Sequence, residues 1–200
     1  MDKLEEMSCF ASTVYLVKKP EFLESVIKVS DRYLKESKNL VTMTGTYSHE
    51  PEIAEFAQYV SQTAWNILAS QGYSVDKLVT YFTEMWTQEH KKYSSMDCHI
   101  HGSSAQISAF YFLTTPKDSC RFVIHDPRPA KVIISLANAD DSVINQAAHQ
   151  IVFTPDPGTL IFANSWLPHS FSRNGSDEPM QFVHMNLSVS VAPQENVEII

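Results

Sequence analysis

Met96-Asp-Cys-His-Ile-His-Gly102 is followed, after four residues, by Ile107-Ser-Ala-Phe-Tyr-Phe-Leu113, and together the two runs decide how this chain is read. The second is a β-branched and aromatic run of strand length. If the first is also extended, His99 and His101 project to the same side, because alternate residues of a strand share a face. Two imidazoles then converge on one point. Further along, Pro157-Gly158 opens a turn, Thr159-Leu-Ile-Phe162 reads as a strand, and His169 begins another after a break at Asn164-Ser165. A third histidine returned this way from a distant strand would complete a metal site, with open positions for O₂ and an organic ligand.

Working outward, the chain changes character near residue 95. After it come short runs of strand composition separated by Pro, Gly, Asn and Asp, predicting strands near 96–101, 106–114, 120–125, 131–136, 149–154, 158–163, 169–173 and 180–190. That density of short strands in one region suggests a sandwich or barrel. Before it, Thr13-Val-Tyr-Leu-Val17 reads as a strand and Pro20 opens an amphipathic helix through Leu34. Pro51-Glu52 opens a second, whose stripe Ile53, Phe56, Val60, Ala64, Ile67 and Leu68 ends at Gly72. Residues 76–88 fit helix or strand, with a strand favoured for the later part. The expectation is a mainly β, α+β protein: one domain over 1–200, with a helical support region at 1–78 and a double-stranded β-helix, or cupin-like jelly roll, at 79–192.

At 200 residues with a net charge of −8 and a pI near 5.4, the chain is too acidic for a general nucleic-acid binder. It has no apolar run long enough to span a membrane and no signal-peptide profile, so a cytoplasmic location is expected. The cysteines Cys9, Cys98 and Cys120 are odd in number and lack Cys-x-x-Cys spacing, which argues for free thiols. Cys98 should face away from its histidine neighbours. The aromatics Trp86, Trp166, Phe110, Phe112, Phe162 and Phe171 read as core volume. His125, His149 and His184 have no paired spacing and read as structural or supporting residues.

The ordered set Thr83-Glu-Met-Trp86, His99-Ile-His101, Ser108-Ala-Phe-Tyr111-Phe-Leu113, Phe122-Val-Ile-His-Asp126-Pro-Arg128 and Pro157-Gly158 through Trp166-Leu-Pro-His169 to Asn186 resembles an iron- and 2-oxoglutarate-dependent oxygenase family of marine bacteria and cyanophages. That family is similar to prolyl hydroxylases. The resemblance spans roughly residues 80 to 190. It implies a double-stranded β-helix, Fe(II), 2-oxoglutarate and O₂ as cosubstrates, and hydroxylation of an unactivated C–H bond while 2-oxoglutarate is decarboxylated. His99 maps to the first ligand, His169 to the distal histidine, and His101 to a position that most such enzymes fill with Asp. Asp126 is the competing carboxylate, with spacing favouring His101.

Met180 stands where the resemblance places an Arg for the distal carboxylate of 2-oxoglutarate. Tyr111, Arg128 and Arg173 are the groups the sequence offers instead, a hydroxyl and two planar cations. The substrate class stays open between a small molecule and a peptidyl side chain, and a homodimer is an open alternative. Two other readings stand beside the oxygenase: a cupin-like three-histidine metalloenzyme that does not use 2-oxoglutarate (a thiol dioxygenase or an isomerase), with Gln106 at the cupin fourth-ligand position, and a non-catalytic binding module.

Overall fold

In the computed structural model, residues 4–5, 7–35, 38–102, 104–134 and 136–192 are described. Two antiparallel sheets face each other. The larger has the order β1 (Val14–Lys18), β8 (Thr159–Asn164), β5 (Ile107–Thr114), β10 (Met180–Val191), β3 (Leu78–His90), β2 (Val41–Met43). The smaller has the order β4 (Met96–His99), β9 (His169–Phe171), β6 (Phe122–His125), β7 (Gln150–Phe153). From β3 onward the strands alternate between the sheets in the manner of a double-stranded β-helix, except that β6 and β7 pair with each other in the smaller one. The N-terminal region is more than a helical support, since it contributes β1 and β2 to the two edges of the large sheet.

The strict alternation of the strands produces two cores. Ala109, Tyr111, Leu160, Phe162, Val183 and Met185 face the helices, whereas Phe110, Phe112, Ile161, Phe182 and Met180 face the smaller sheet. Helices α1 (Leu23–Tyr33) and α2 (Ala54–Ser70), each preceded by a single 3₁₀ turn that a proline opens, cover the outer face of the large sheet. Val60, Ala64, Ile67 and Leu68 recur at helical spacing and are buried there, as the sequence predicts. Gly72 adopts φ +88° after α2. Its N–H bonds to the Ala69 carbonyl and that of Tyr73 to Leu68, a Schellman closure of the helix.

The ambiguous 76–88 region resolves as β3, paired along its length with β10. The strand expected at 131–136 does not form: Pro129–Ile134 is a short helix, α3, and Ser135 lies outside the described residues. Pro129 starts it, and β7 takes the place beside β6, so the β-branched run Val132-Ile133-Ile134 pairs with neither sheet and stays exposed. Among the described residues no helix is long and apolar enough to cross a membrane.

Candidate metal centre

His99 ends β4 directly opposite His169, the first residue of β9. Two residues beyond the end of the strand, the His101 N–H donates to the Ser165 carbonyl (3.0 Å), which keeps the chain extended long enough for the alternation to hold. The three imidazoles therefore meet: one nitrogen from each lies within 4.8 Å of the others, a spacing that could hold a metal ion. The Nε2 atoms of His101 and His169 are 3.2 Å apart. Cys98 and Ile100 point outward and are exposed.

Hydrogen bonds to backbone carbonyls set which nitrogen His99 and His169 offer. His99 donates Nδ1–H to the Asp97 carbonyl (2.7 Å) and His169 donates Nδ1–H to the Leu167 carbonyl (3.1 Å), so in both the Nε2 lone pair faces the centre. His101 Nδ1 faces the Asn186 carboxamide at 3.2 Å. Asn186 is buried, accepts from Ser108 Oγ (2.8 Å) and donates to Glu84 Oε2 (2.9 Å), so it holds the ring from the side away from the metal position. Burial, reinforced by the neighbouring histidines, lowers His169 to about 3; burial first and His99 second lower His101 to about 4. Both are neutral at physiological pH, the form that binds metal.

Asp126 lies outside the cluster of His99, His101 and His169. Its carboxylate, 5% exposed, accepts two hydrogen bonds from the Arg128 guanidinium (both 2.9 Å) and faces Lys131 at 3.3 Å, and Arg128 first among these holds it down at about 2. Arg128 is thereby committed to Asp126. Arg173 is exposed and stacks on the Tyr93 ring at 4.7 Å. Tyr111 belongs to the helix-facing core, where it packs on Phe56 (4.8 Å between centroids) and donates its hydroxyl to the Lys19 carbonyl (2.6 Å). Tyr111 thus stands on the helix-facing side of the large sheet, while Arg128 and Arg173 are engaged by Asp126 and Tyr93. For Tyr111 the reason is parity, because its neighbours Phe110 and Phe112 take the inner face. Gln106 is exposed, its backbone tied to Leu187 and Ser165. Trp166 is 45% exposed rather than core.

The inner wall behind the triad is aromatic. Phe110, Phe112, Phe122, Phe171, Phe182 and Met180 are at most 3% exposed, and no Lys or Arg is buried among the described residues. His184 was legible only as a residue of no paired spacing, yet it stands beside the triad. Its ring centroid is 4.4 Å from that of His101 and 4.3 Å from Trp86, on which it stacks. Burial drives His184 well below the ordinary histidine range. Neither His184 Nε2 nor Trp86 Nε1, both buried, has a hydrogen-bond partner.

At the same end of the sandwich, the segment Met7–Ser12, residues 144–151 and the Asp126–Arg128 turn wall a cavity of about 320 Å³ that reaches Ile124 and Leu167. Ile124 pairs with His169 across the small sheet, and Leu167 precedes His169 by two positions. The cavity is lined by His125 and Asp126 as well as by apolar groups, which suits a small molecule or a single side chain.

Comparison with solved structures supports the same architecture. The chain superposes on an oxidoreductase of the 2OG-Fe(II) oxygenase family from Burkholderia pseudomallei (TM-score 0.62, 11% identity, 88% of this chain and 84% of that one). It is similar to a Pseudomonas putida prolyl-4-hydroxylase (TM-score 0.62, 9% identity, 88% and 92%) and to a viral collagen prolyl hydroxylase from Paramecium Bursaria Chlorella virus-1 (TM-score 0.58, 13% identity, 88% and 94%). At such identities these likenesses speak to the fold. No curated protein matches the sequence. Residues 84–184, half of the chain and the span that carries all three histidines, match the family described as 2OG-Fe(II) oxygenase; the chain belongs to this family of iron- and 2-oxoglutarate-dependent oxygenases.

Proposed function

We propose that His99, His101 and His169 hold the iron, and that the enzyme hydroxylates a small molecule or peptidyl side chain bound in the cavity between residues 7–12 and 144–151. The observation that carries this reading is the tautomer control at the triad: backbone carbonyls take the Nδ1 protons of His99 and His169, leaving both Nε2 lone pairs aimed at one centre. Three neutral nitrogen donors at this spacing suit Fe(II). When bound, iron and 2-oxoglutarate supply the oxidising power drawn from O₂ that places oxygen on an unactivated C–H bond.

The protein's own part is orientation and exclusion of water. Asn186, braced by Ser108 and Glu84, keeps the His101 ring from rotating. Phe110 and Phe122 pack against His169, with centroids at 5.1 and 5.8 Å, and seal the centre from behind. His169 is buried, whereas His99 and His101 are half-exposed.

The test is metal analysis of protein purified without chelator, together with succinate formation from 2-oxoglutarate. Stoichiometric iron in the unaltered chain and its loss in His169→Ala, with an unchanged far-UV spectrum, are expected. Retention of iron at unaltered affinity in His169→Ala would overturn the assignment.

A further inference from the structure

Two buried polar atoms beside the triad have no partner within the protein. Trp86 Nε1 and His184 Nε2 belong to rings stacked at 4.3 Å on the paired positions of β3 and β10, and the His184 ring adjoins both His101 (4.4 Å) and His169 (6.3 Å between centroids). A buried donor left without an acceptor costs free energy that an apolar residue of the same shape would avoid. The rest of the inner wall is mostly apolar, from Phe110, Phe112, Phe122, Phe171, Phe182 and Met180, and the buried polar side chains Gln88, His90 and Ser94 beyond it bond to one another.

We infer that Trp86 and His184 are the residues that receive the distal carboxylate of 2-oxoglutarate, Trp86 through Nε1–H and His184 through Nε2 in its N–H form. The inference rests on the reading of the triad as the iron site. Charge supports it. Three neutral imidazoles leave Fe(II) its full 2+, and the two carboxylates of 2-oxoglutarate cancel this. A buried cation opposite the distal carboxylate would then leave the enclosed complex with a net positive charge, which is costly away from water. Uncharged donors complete the hydrogen bonding without that cost, and among the described residues no Lys or Arg is buried to serve instead.

Trp86→Phe and His184→Phe each remove the donor and keep a ring; His184→Gln keeps an N–H donor near the same place. Each full-length chain is loaded anaerobically with Fe(II) and titrated with 2-oxoglutarate and, separately, with 2-oxobutyrate, which has the same 2-oxo acid head but ends in a methyl group. Binding is followed by charge-transfer absorbance and by calorimetry. The unaltered protein is expected to prefer 2-oxoglutarate. Each Phe variant is expected to bind 2-oxoglutarate about 10- to 100-fold more weakly while binding 2-oxobutyrate within about 2-fold of the unaltered protein, with His184→Gln retaining most of the preference. Equal loss for both acids, loss for neither, or no preference in the unaltered protein would overturn the inference and leave the iron site standing. Failure of the unaltered, iron-loaded protein to bind either acid would remove the proposed function along with it.

Discussion

Replacing Tyr111 by Phe separates two roles that one residue could have. The side chain is fully buried, its ring packs on Phe56 at 4.8 Å, and its hydroxyl donates to the Lys19 carbonyl at 2.6 Å. The ring contact survives the substitution, so only the hydrogen bond is lost. The Lys19 carbonyl keeps a longer bond from the Phe22 N–H (3.3 Å), so it is not fully orphaned. The cost should therefore sit near the ordinary net value of about 1 kcal/mol rather than the roughly 1–3 kcal/mol of a stranded acceptor. For a chain of this size that corresponds to a fall of about 2–4 °C in melting temperature. Calorimetric or fluorescence-detected melting gives the stability, and anaerobic titration of the iron form gives the affinity for 2-oxoglutarate, which should be unchanged. Unchanged stability combined with weakened 2-oxoglutarate binding would refute the assignment of Tyr111 to the helix-facing core.

Asn186→Leu removes the brace on His101 and should weaken iron binding by about 10- to 100-fold, read by competition with a chelator, while iron-independent melting shows that the fold persists. Gly158 has φ +80°, and a Cβ there would lie 2.9 Å from Pro20 Cα; Gly72 has φ +88° with open space around it. Gly158→Ala should accordingly cost more than the roughly 1–2 kcal/mol that the left-handed backbone alone imposes on Gly72→Ala, and equal urea midpoints would contradict this. His90, fully buried between Phe171 and Phe182, is lowered to about 4 by burial, whereas the unfolded chain takes a proton near 6.5. Its contribution is present in full above about pH 6.5 and is lost as the pH falls toward 4, so His90→Gln should reduce the slope of stability against pH by about 1.4 kcal/mol per unit between roughly pH 5.5 and 4.5. Urea titrations across that range measure it, and an unchanged slope would mean that His90 is already protonated in the folded protein.

The sequence by itself determined whatever depends on neighbours along the chain. His99 and His101 share a side because strand geometry alternates, and the α2 stripe and its Gly72 stop follow from helical spacing and from the conformation glycine permits. His169 was legible from the turn and strand before it. Only the tertiary structure decided which face of the large sheet looks toward the metal and which toward the helices, since an alternating pattern buried on both sides carries no label for either. That put Tyr111 in the helix-facing core and Phe110 and Phe112 on the inner wall. Pairing of charges was equally invisible: Arg128 is committed to Asp126 and Arg173 to Tyr93, choices made by loop contacts and not by order in the sequence. β2 was missed because three residues are too short to show a period, and α3 because its β-branched composition reads as a strand although β7 takes the place beside β6. Trp86 and His184 lie 98 positions apart and became a stacked pair through the β3–β10 register, which depends on long-range hydrogen bonding that no local pattern encodes.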